Sequence, residues 1–294
     1  MINRRQFLGS AIIPLATLPF ATYPLIGLAA DDIVTRLHKI ETSTRGRLGV
    51  CLVDSGSGKR AGLRLDERFP MCSTFKFLAA AYVLSRVDAG KEQLERRIAF
   101  TEQDLQAYSP GTKDHVGGAG LSVAALCEAA ITLSDNTAAN LLLASFGGPA
   151  GLTGWLRASG DKLTRLDRNE PSLNEARPGD PRDTTTPAAM ADTMKKILLG
   201  DLLAPGSRAT LLRWLDATQT GNARIRAGVP PGWLVGDKTG TGDRGTSNDI
   251  AIIRPPGRAP ILLSVYLTGA KVPGPQRDLA IADVARLISG WLEG

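Results

Sequence analysis

The sequence has few of the residues on which several enzyme classes depend. Among 294 residues there are two histidines, His38 and His115, and three cysteines, Cys51, Cys72 and Cys127. The histidines lie far apart and neither stands in a zinc-ligand pattern, which argues against a metal centre and against a Ser-His-Asp triad. Both read as ordinary helix residues. Three cysteines cannot all pair, and none has the short spacing of a metal site, so all three read as buried small apolar residues. Aromatic residues make up 5%, and although 35 Lys and Arg against 29 Asp and Glu give a net charge of +6, no basic run is interleaved with aromatics. A nucleic-acid partner is therefore not expected. Repeats and low-complexity tracts are also missing. At 43% hydrophobic residues the chain can bury a large core, as one large domain or two intertwined ones, and disorder is excluded.

The one long apolar stretch, 7–28, is broken by Pro14, Pro19 and Pro24 and makes a poor membrane span. It follows Arg4-Arg5-Gln6-Phe7-Leu8, a charged start of twin-arginine type. Residues 1–29 are expected to be a signal peptide, with Gly27 and Ala29 at the small positions before the cleavage point. The first cysteine, Cys51, lies too far on to carry a lipid anchor. The expected product is a soluble periplasmic monomer with no stable membrane association and no metal or other cofactor.

Apolar residues at helical spacing after Asp31 predict a helix over 31–44. Two strands, 47–54 and 59–65, flank Ser55-Gly56-Ser57-Gly58 as a hairpin. Three more strands are expected at 233–238, 249–253 and 261–267, before a closing helix over about 277–292. Every strongly periodic segment from 69 to 215 is helical. The expected fold is an α/β chain of the α+β type: an antiparallel five-stranded sheet flanked by the N- and C-terminal helices, formed by 30–68 and 216–294, with an all-helical domain, 69–215, inserted between its second and third strands. Within that domain a polar loop, 165–183, carries Pro171, Pro178 and Pro181 and has no period of its own. A loop that long is usually functional or disordered.

Four short motifs stand along this framework: Ser73-Thr74-Phe75-Lys76, Ser134-Asp135-Asn136, Glu170-Pro171-Ser172-Leu173-Asn174 and Lys238-Thr239-Gly240. A Ser-x-x-Lys arises about once by chance in a chain of this length, and Ser159-Gly160-Asp161-Lys162 is such a decoy, with no long apolar helix behind it. The ordered set is the specific signal, and it points to an active-site serine enzyme. Lys76 is the single charge in the apolar run 75–84 and lies one helical turn from Ser73. An ammonium so placed resists protonation and can act as a base or relay toward the hydroxyl, which itself sits at a helix N-terminus suited to an oxyanion. An N-cap serine with a snorkelling lysine would give the same pattern.

Ser134-Asp135-Asn136 is equally a run of good N-cap residues. Functionally, Ser134 would pass a proton to a leaving nitrogen and Asn136 would donate its amide to a substrate carbonyl. Glu170 is either a solvated loop carboxylate or a general base that holds a water with Asn174, its loop clamped by an Arg168–Asp183 ion pair. Lys238-Thr239-Gly240 is either a hairpin turn or a grip on an anionic substrate group, with Gly240 allowing close approach to the backbone.

With these motifs in place the chain resembles a class A β-lactamase from Asp31 onward, including Tyr108 before Ser109-Pro110 and Asn248-Asp249 after the Lys-Thr-Gly strand. The resemblance implies that Ser73 is acylated by a small-molecule β-lactam, with Lys76 and Glu170 sharing the proton chemistry. It also implies that Ser134 protonates the β-lactam nitrogen, that the backbone N–H groups of Ser73 and Thr241 form the oxyanion hole, and that Glu170 with Asn174 activates the deacylating water. Three departures stand out. Ser247 occupies a place where many relatives have an arginine, so the substrate carboxylate must be held from Arg224 or Arg277, of which Arg224 is expected to be the main clamp and Arg277 solvated. Cys127 faces Ala80 where some relatives have a disulfide, and Cys72 faces Gly242 where carbapenem-hydrolysing relatives pair two cysteines. The competing readings are a penicillin-binding DD-peptidase or transpeptidase, and a β-lactam sensor that stays acylated.

Overall fold

The computed structural model describes residues 30–293, so the expected signal peptide, 1–29, lies outside the described residues. The chain opens with helix α1 (Ala30–Thr44) and the hairpin β1 (Arg47–Asp54) and β2 (Arg60–Leu63). After the short β3 (Phe69–Pro70) come α2 (Phe75–Asp88), β4 (Arg97–Ile98), β5 (Leu121–Ser122), α3 (Val123–Thr132), α4 (Asn136–Ser145) and α5 (Gly148–Ala158). Then follow β6 (Thr184–Thr185), α6 (Pro187–Leu198), α7 (Pro205–Asp216) and the one-turn α8 (Ile225–Gly228). The chain closes with β7 (Leu234–Gly242), β8 (Thr246–Arg254), β9 (Ile261–Thr268) and α9 (Gly274–Glu293).

Five strands form one antiparallel sheet in the order β2-β1-β9-β8-β7. Their side chains divide by the two-residue period of a strand. Leu48, Val50 and Leu52 of β1, with Leu263 and Val265 of β9, pack on Ile33 and Leu37 of α1 and Ile281 and Val284 of α9. Cys51 and Val53 of β1, with Leu262 and Tyr266 of β9, join Phe77, Leu78 and Leu142 on the opposite face. A sheet covered on both faces has strands that are apolar throughout, which is why these runs stand out in the sequence.

Two expectations are corrected. The segment between the second and third strands of the sheet is not wholly helical, because β3 pairs β6 and β4 pairs β5 in two-residue ladders. Such ladders are too short to leave a period. Lys238 does not end its strand: β7 pairs with β8 through to Gly242↔Thr246. Gly240 and Gly242 look like breakers, but both are held by the ladder and by close packing. A Cβ on Gly240 would lie 2.7 Å from the Met71 carbonyl oxygen, and one on Gly242 would lie 2.6 Å from Cys72 Sγ.

Cys51, Cys72 and Cys127 are buried free thiols. Burial pushes Cys51 up to about 12 and raises the other two further, so none is reactive in the folded state. A thiol reagent should count three groups in the denatured, unreduced protein; a count of one would reveal a bridge. Among the described residues, no helix is long and apolar enough to cross a membrane.

Candidate active site

Ser73 lies in the 3₁₀ turn Cys72–Thr74 that leads into α2. The residue before it, Cys72, is held at φ 46°, a left-handed conformation costly for a residue with a side chain. The turn is fixed from the sheet, where Asn248 Nδ2 donates to the carbonyls of Pro70 (2.9 Å) and Met71 (3.0 Å).

Lys76, one turn on, is fully buried. Its Nζ donates to Ser73 Oγ (3.0 Å), Asn136 Oδ1 (2.6 Å) and the Ser134 carbonyl (2.8 Å), and it lies 3.0 Å from Glu170 Oε1. Desolvation lowers the Lys76 pKa, and the adjacent Glu170 opposes that shift. The apolar helix thus holds an ammonium that is ready to lose its proton beside a hydroxyl, which a snorkelling surface lysine would not be.

Ser134 also has a left-handed backbone, φ 60°. Asp135 caps α4 by accepting the Ala138 N–H (2.8 Å), while its Oδ2 accepts from the N–H groups of Gly111 (2.8 Å) and Thr112 (2.9 Å). Capping is therefore real, and it aims Ser134 and Asn136 into the site. Ser134 Oγ accepts from Lys238 Nζ at 3.0 Å, and Lys76 Nζ lies 3.5 Å from it.

Glu170 is buried rather than solvated. Arg168 Nε donates to Asp183 Oδ2 at 2.6 Å, which closes the loop at its base. Asn140 of α4 holds the Glu170 backbone from both sides, Nδ2 to its carbonyl and Oδ1 from its N–H, each at 2.9 Å. The carboxylate accepts from Ser73 Oγ (3.1 Å) through Oε1 and from Asn174 Nδ2 (2.5 Å) through Oε2. Asn174 Oδ1 is buried and has no protein partner.

Lys238 is fully buried in the edge strand β7. Desolvation, reinforced by the charge on Lys76, lowers it to about 7. Behind it stand Asp237 and Asp249, two buried carboxyls in contact, both raised by desolvation. Thr239 Oγ1 and Thr220 Oγ1 share a hydrogen bond of 2.6 Å.

Arg224 is buried beside this strand: Nη1 donates to the carbonyls of Gly240 (2.9 Å) and Asn248 (2.7 Å), Nη2 to Thr241 Oγ1 (2.8 Å) and Nε to Asp278 (2.8 Å). Arg277 is half-buried rather than solvated, its Nε donating to Ser247 Oγ (3.0 Å) and its Nη1 to the Val272 carbonyl (3.1 Å).

These groups surround a cleft of about 290 Å³. Ser73, Tyr108, Ser134, Asn136 and Asn174 line it from the segment between β2 and β7, and Thr239, Gly240 and Thr241 line it from β7 together with Arg224. Lys76, Glu170 and Lys238 stand directly behind the lining residues, whereas Arg277 is set apart from it. Thr220, in the lining, and Asn140, behind it, belong to the candidate site although no sequence motif marks them. Among the described residues, no three His, Cys, Asp or Glu side chains converge as a metal site requires.

Comparisons with known proteins identify the family. A family model described as the β-lactamase enzyme family matches residues 32–292. Beta-lactamase CTX-M-8 of Citrobacter amalonaticus is 47% identical over 288 residues, covering 98% of this chain and 97% of that protein. Beta-lactamase Toho-1 of Escherichia coli is 44% identical over 281 residues, 95% of this chain and 96% of that protein. Among solved structures, an ancestral class A β-lactamase is 61% identical with a TM-score of 0.86, covering 87% of this chain and 98% of that one. A class A β-lactamase of the last common ancestor of Gram-negative bacteria is 60% identical with a TM-score of 0.87, covering 88% of this chain and 99% of that one. With its serine, buried lysine and loop carboxylate on this fold, the chain belongs to the β-lactamase enzyme family, as a class A serine β-lactamase.

Proposed function

We propose that this enzyme opens the β-lactam amide of penicillins and cephalosporins through an ester on Ser73, and that Glu170 drives hydrolysis of that ester. The observation that carries the reading is the placement of Ser73 Oγ within 3.1 Å of both Lys76 Nζ and Glu170 Oε1. In acylation the Ser73 proton passes to Lys76 or Glu170 as Oγ attacks the lactam carbonyl, and the developing oxyanion lies against the backbone N–H groups of Ser73 and Thr241. Ser134, in reach of Lys76 and Lys238, returns a proton to the departing nitrogen. In deacylation Glu170 takes a proton from water held with Asn174, whose free Oδ1 is a ready acceptor. Mixing the purified protein with a chromogenic cephalosporin tests the assignment: repeated turnover supports it, whereas a single stoichiometric burst or no reaction would leave a sensor or a peptidase.

The substrate carboxylate is held by Lys238, Thr239 and Arg224. Arg224 lines the cleft and Arg277 does not. Arg224→Ala should therefore lower kcat/KM by about 1.5–3 kcal/mol of transition-state binding. Because it also removes bonds to two strand carbonyls, it should lower the melting temperature. If Arg277→Ala damages kcat/KM and Arg224→Ala does not, the assignment is reversed.

The pH dependence follows from Lys238. Its pKa is depressed to about 7, so its cation is present below that pH and lost above it. An anionic substrate requires the cation, so kcat/KM should decline as pH rises through about 7, and substrate binding above that pH should take up protons. A profile flat from neutral to alkaline pH would remove Lys238 as the titrating anchor.

Beyond the site, the Arg4-Arg5 start and the broken apolar stretch support export to the periplasm by the twin-arginine route, as a monomer. The division into a sheet domain (30–68 and 216–294) and a helical domain (69–215) is supported by the two apolar cores on opposite faces of the sheet.

A further inference from the structure

We propose that a second cavity, behind the long loop, binds a compact polyanion carrying two adjacent phosphate groups. It measures about 520 Å³. It lies between loop residues 168–184, the start of β1, the end of β9 and the β7–β8 turn. Buried Leu173 and Ala176 contribute an apolar lining. Seven arginines line it against a single carboxylate, Asp180.

Four of those arginines are neutralised locally: Arg47 by Glu67, Arg168 by Asp183 and Glu175, Arg177 by Glu175, and Arg182 by Asp180. The other three meet no carboxylate. Arg68 donates to the Leu163 carbonyl (2.9 Å) and Thr184 Oγ1 (3.0 Å), both neutral. The Arg45 and Arg244 side chains, both on exposed residues, have no hydrogen-bond or ion-pair partner among the described residues, although the Arg45 N–H donates to the Thr42 carbonyl and the Arg244 carbonyl accepts the Gly269 N–H. Three guanidinium groups without a carboxylate partner line one concavity and give it a positive potential that attracts an anion. The planar guanidinium fork matches phosphate oxygens in pairs. A diphosphate, with about one and a half negative charges per phosphate, balances three cations.

The loop itself separates this cavity from the catalytic cleft. Leu173 and Ala176 face the arginines while Asn174, between them, lines the cleft. The Asn174 carbonyl accepts the N–H of Asp243 at 2.9 Å, next to Arg244. A bound polyanion would therefore tie the loop to the sheet behind Glu170 and stabilise the folded protein by mass action.

Titration calorimetry of the purified protein with sodium diphosphate tests this, against sodium chloride at matched ionic strength. Saturable binding at one site is expected, with a rise in melting temperature. Arg45→Gln/Arg244→Gln should weaken it about tenfold or more per arginine. Arg36→Gln/Lys39→Gln removes the same charge elsewhere and should leave it intact. A nucleoside diphosphate, run in parallel, distinguishes the source: binding equal to diphosphate means that the site accepts phosphate esters, and weaker binding restricts it to the inorganic ion. Absence of saturable heat from both, or equal weakening in the control pair, would overturn the proposal.

Discussion

Glu170→Ala should yield a protein that still reacts with benzylpenicillin but stalls as a covalent adduct on Ser73, with turnover lowered about 10²- to 10⁴-fold, or roughly 3 to 5 kcal/mol. The two half-reactions differ in their supply of bases. Acylation can draw on Lys76, whose burial favours the neutral amine and whose Nζ lies 3.0 Å from Ser73 Oγ. Deacylation needs water deprotonated at the ester, and Glu170 is the carboxylate within hydrogen-bond distance of Ser73 Oγ. Intact-mass measurement should show an increase equal to the whole antibiotic, and Ser73→Ala should show none. Turnover of the Glu170→Ala protein at near the parent rate would remove the deacylation role.

The parts of this site legible in the sequence are those whose physics is local. The Ser73–Lys76 spacing is one helical turn, the cap at Asp135 is a short-range hydrogen bond, and the apolar runs of β1, β8 and β9 follow from a sheet buried on both faces. The Arg168–Asp183 clamp was legible as opposite charges at the two ends of a loop. What was not legible depends on contacts between distant segments. Asn140 holds Glu170 across 30 residues, and nothing near either residue announces the other. Cys72 and Ser134 adopt left-handed backbones that sequence reasoning reserves for glycine or asparagine, because the surrounding packing over-determines them. Lys238-Thr239-Gly240 suggested a strand end, yet the strand runs on to Gly242, and Gly240 and Gly242 are small because the turn bearing Ser73 packs against them. Arg277 looked solvated at the start of a helix, and only the fold brings Ser247 to it.

Lys76→Met should slow acylation, leaving Glu170 as the remaining proton acceptor at Ser73, and also destabilise the fold, and the second effect separates an internal ion pair from a mere catalytic contact. Lys76 Nζ and Glu170 Oε1 lie 3.0 Å apart with both side chains fully buried. Removing one partner of such a pair leaves an uncompensated buried charge, a cost of about 3 to 5 kcal/mol. That is a large share of a typical domain stability of roughly 5 to 15 kcal/mol. Methionine keeps the volume and apolar contacts of the lysine stem, so the loss is electrostatic rather than a cavity. Adding Glu170→Gln to Lys76→Met removes the stranded charge, while the glutamine carbonyl can still accept from Asn174 and its amide N–H can donate to Ser73 Oγ, so much of the stability should return. Activity should not return, since both proton acceptors near Ser73 Oγ are then gone. Denaturant unfolding of the two single variants and the double variant measures the coupling as a double-mutant cycle. Additive losses in stability would show that the pair carries no coupling energy, and the lysine would then serve the reaction alone.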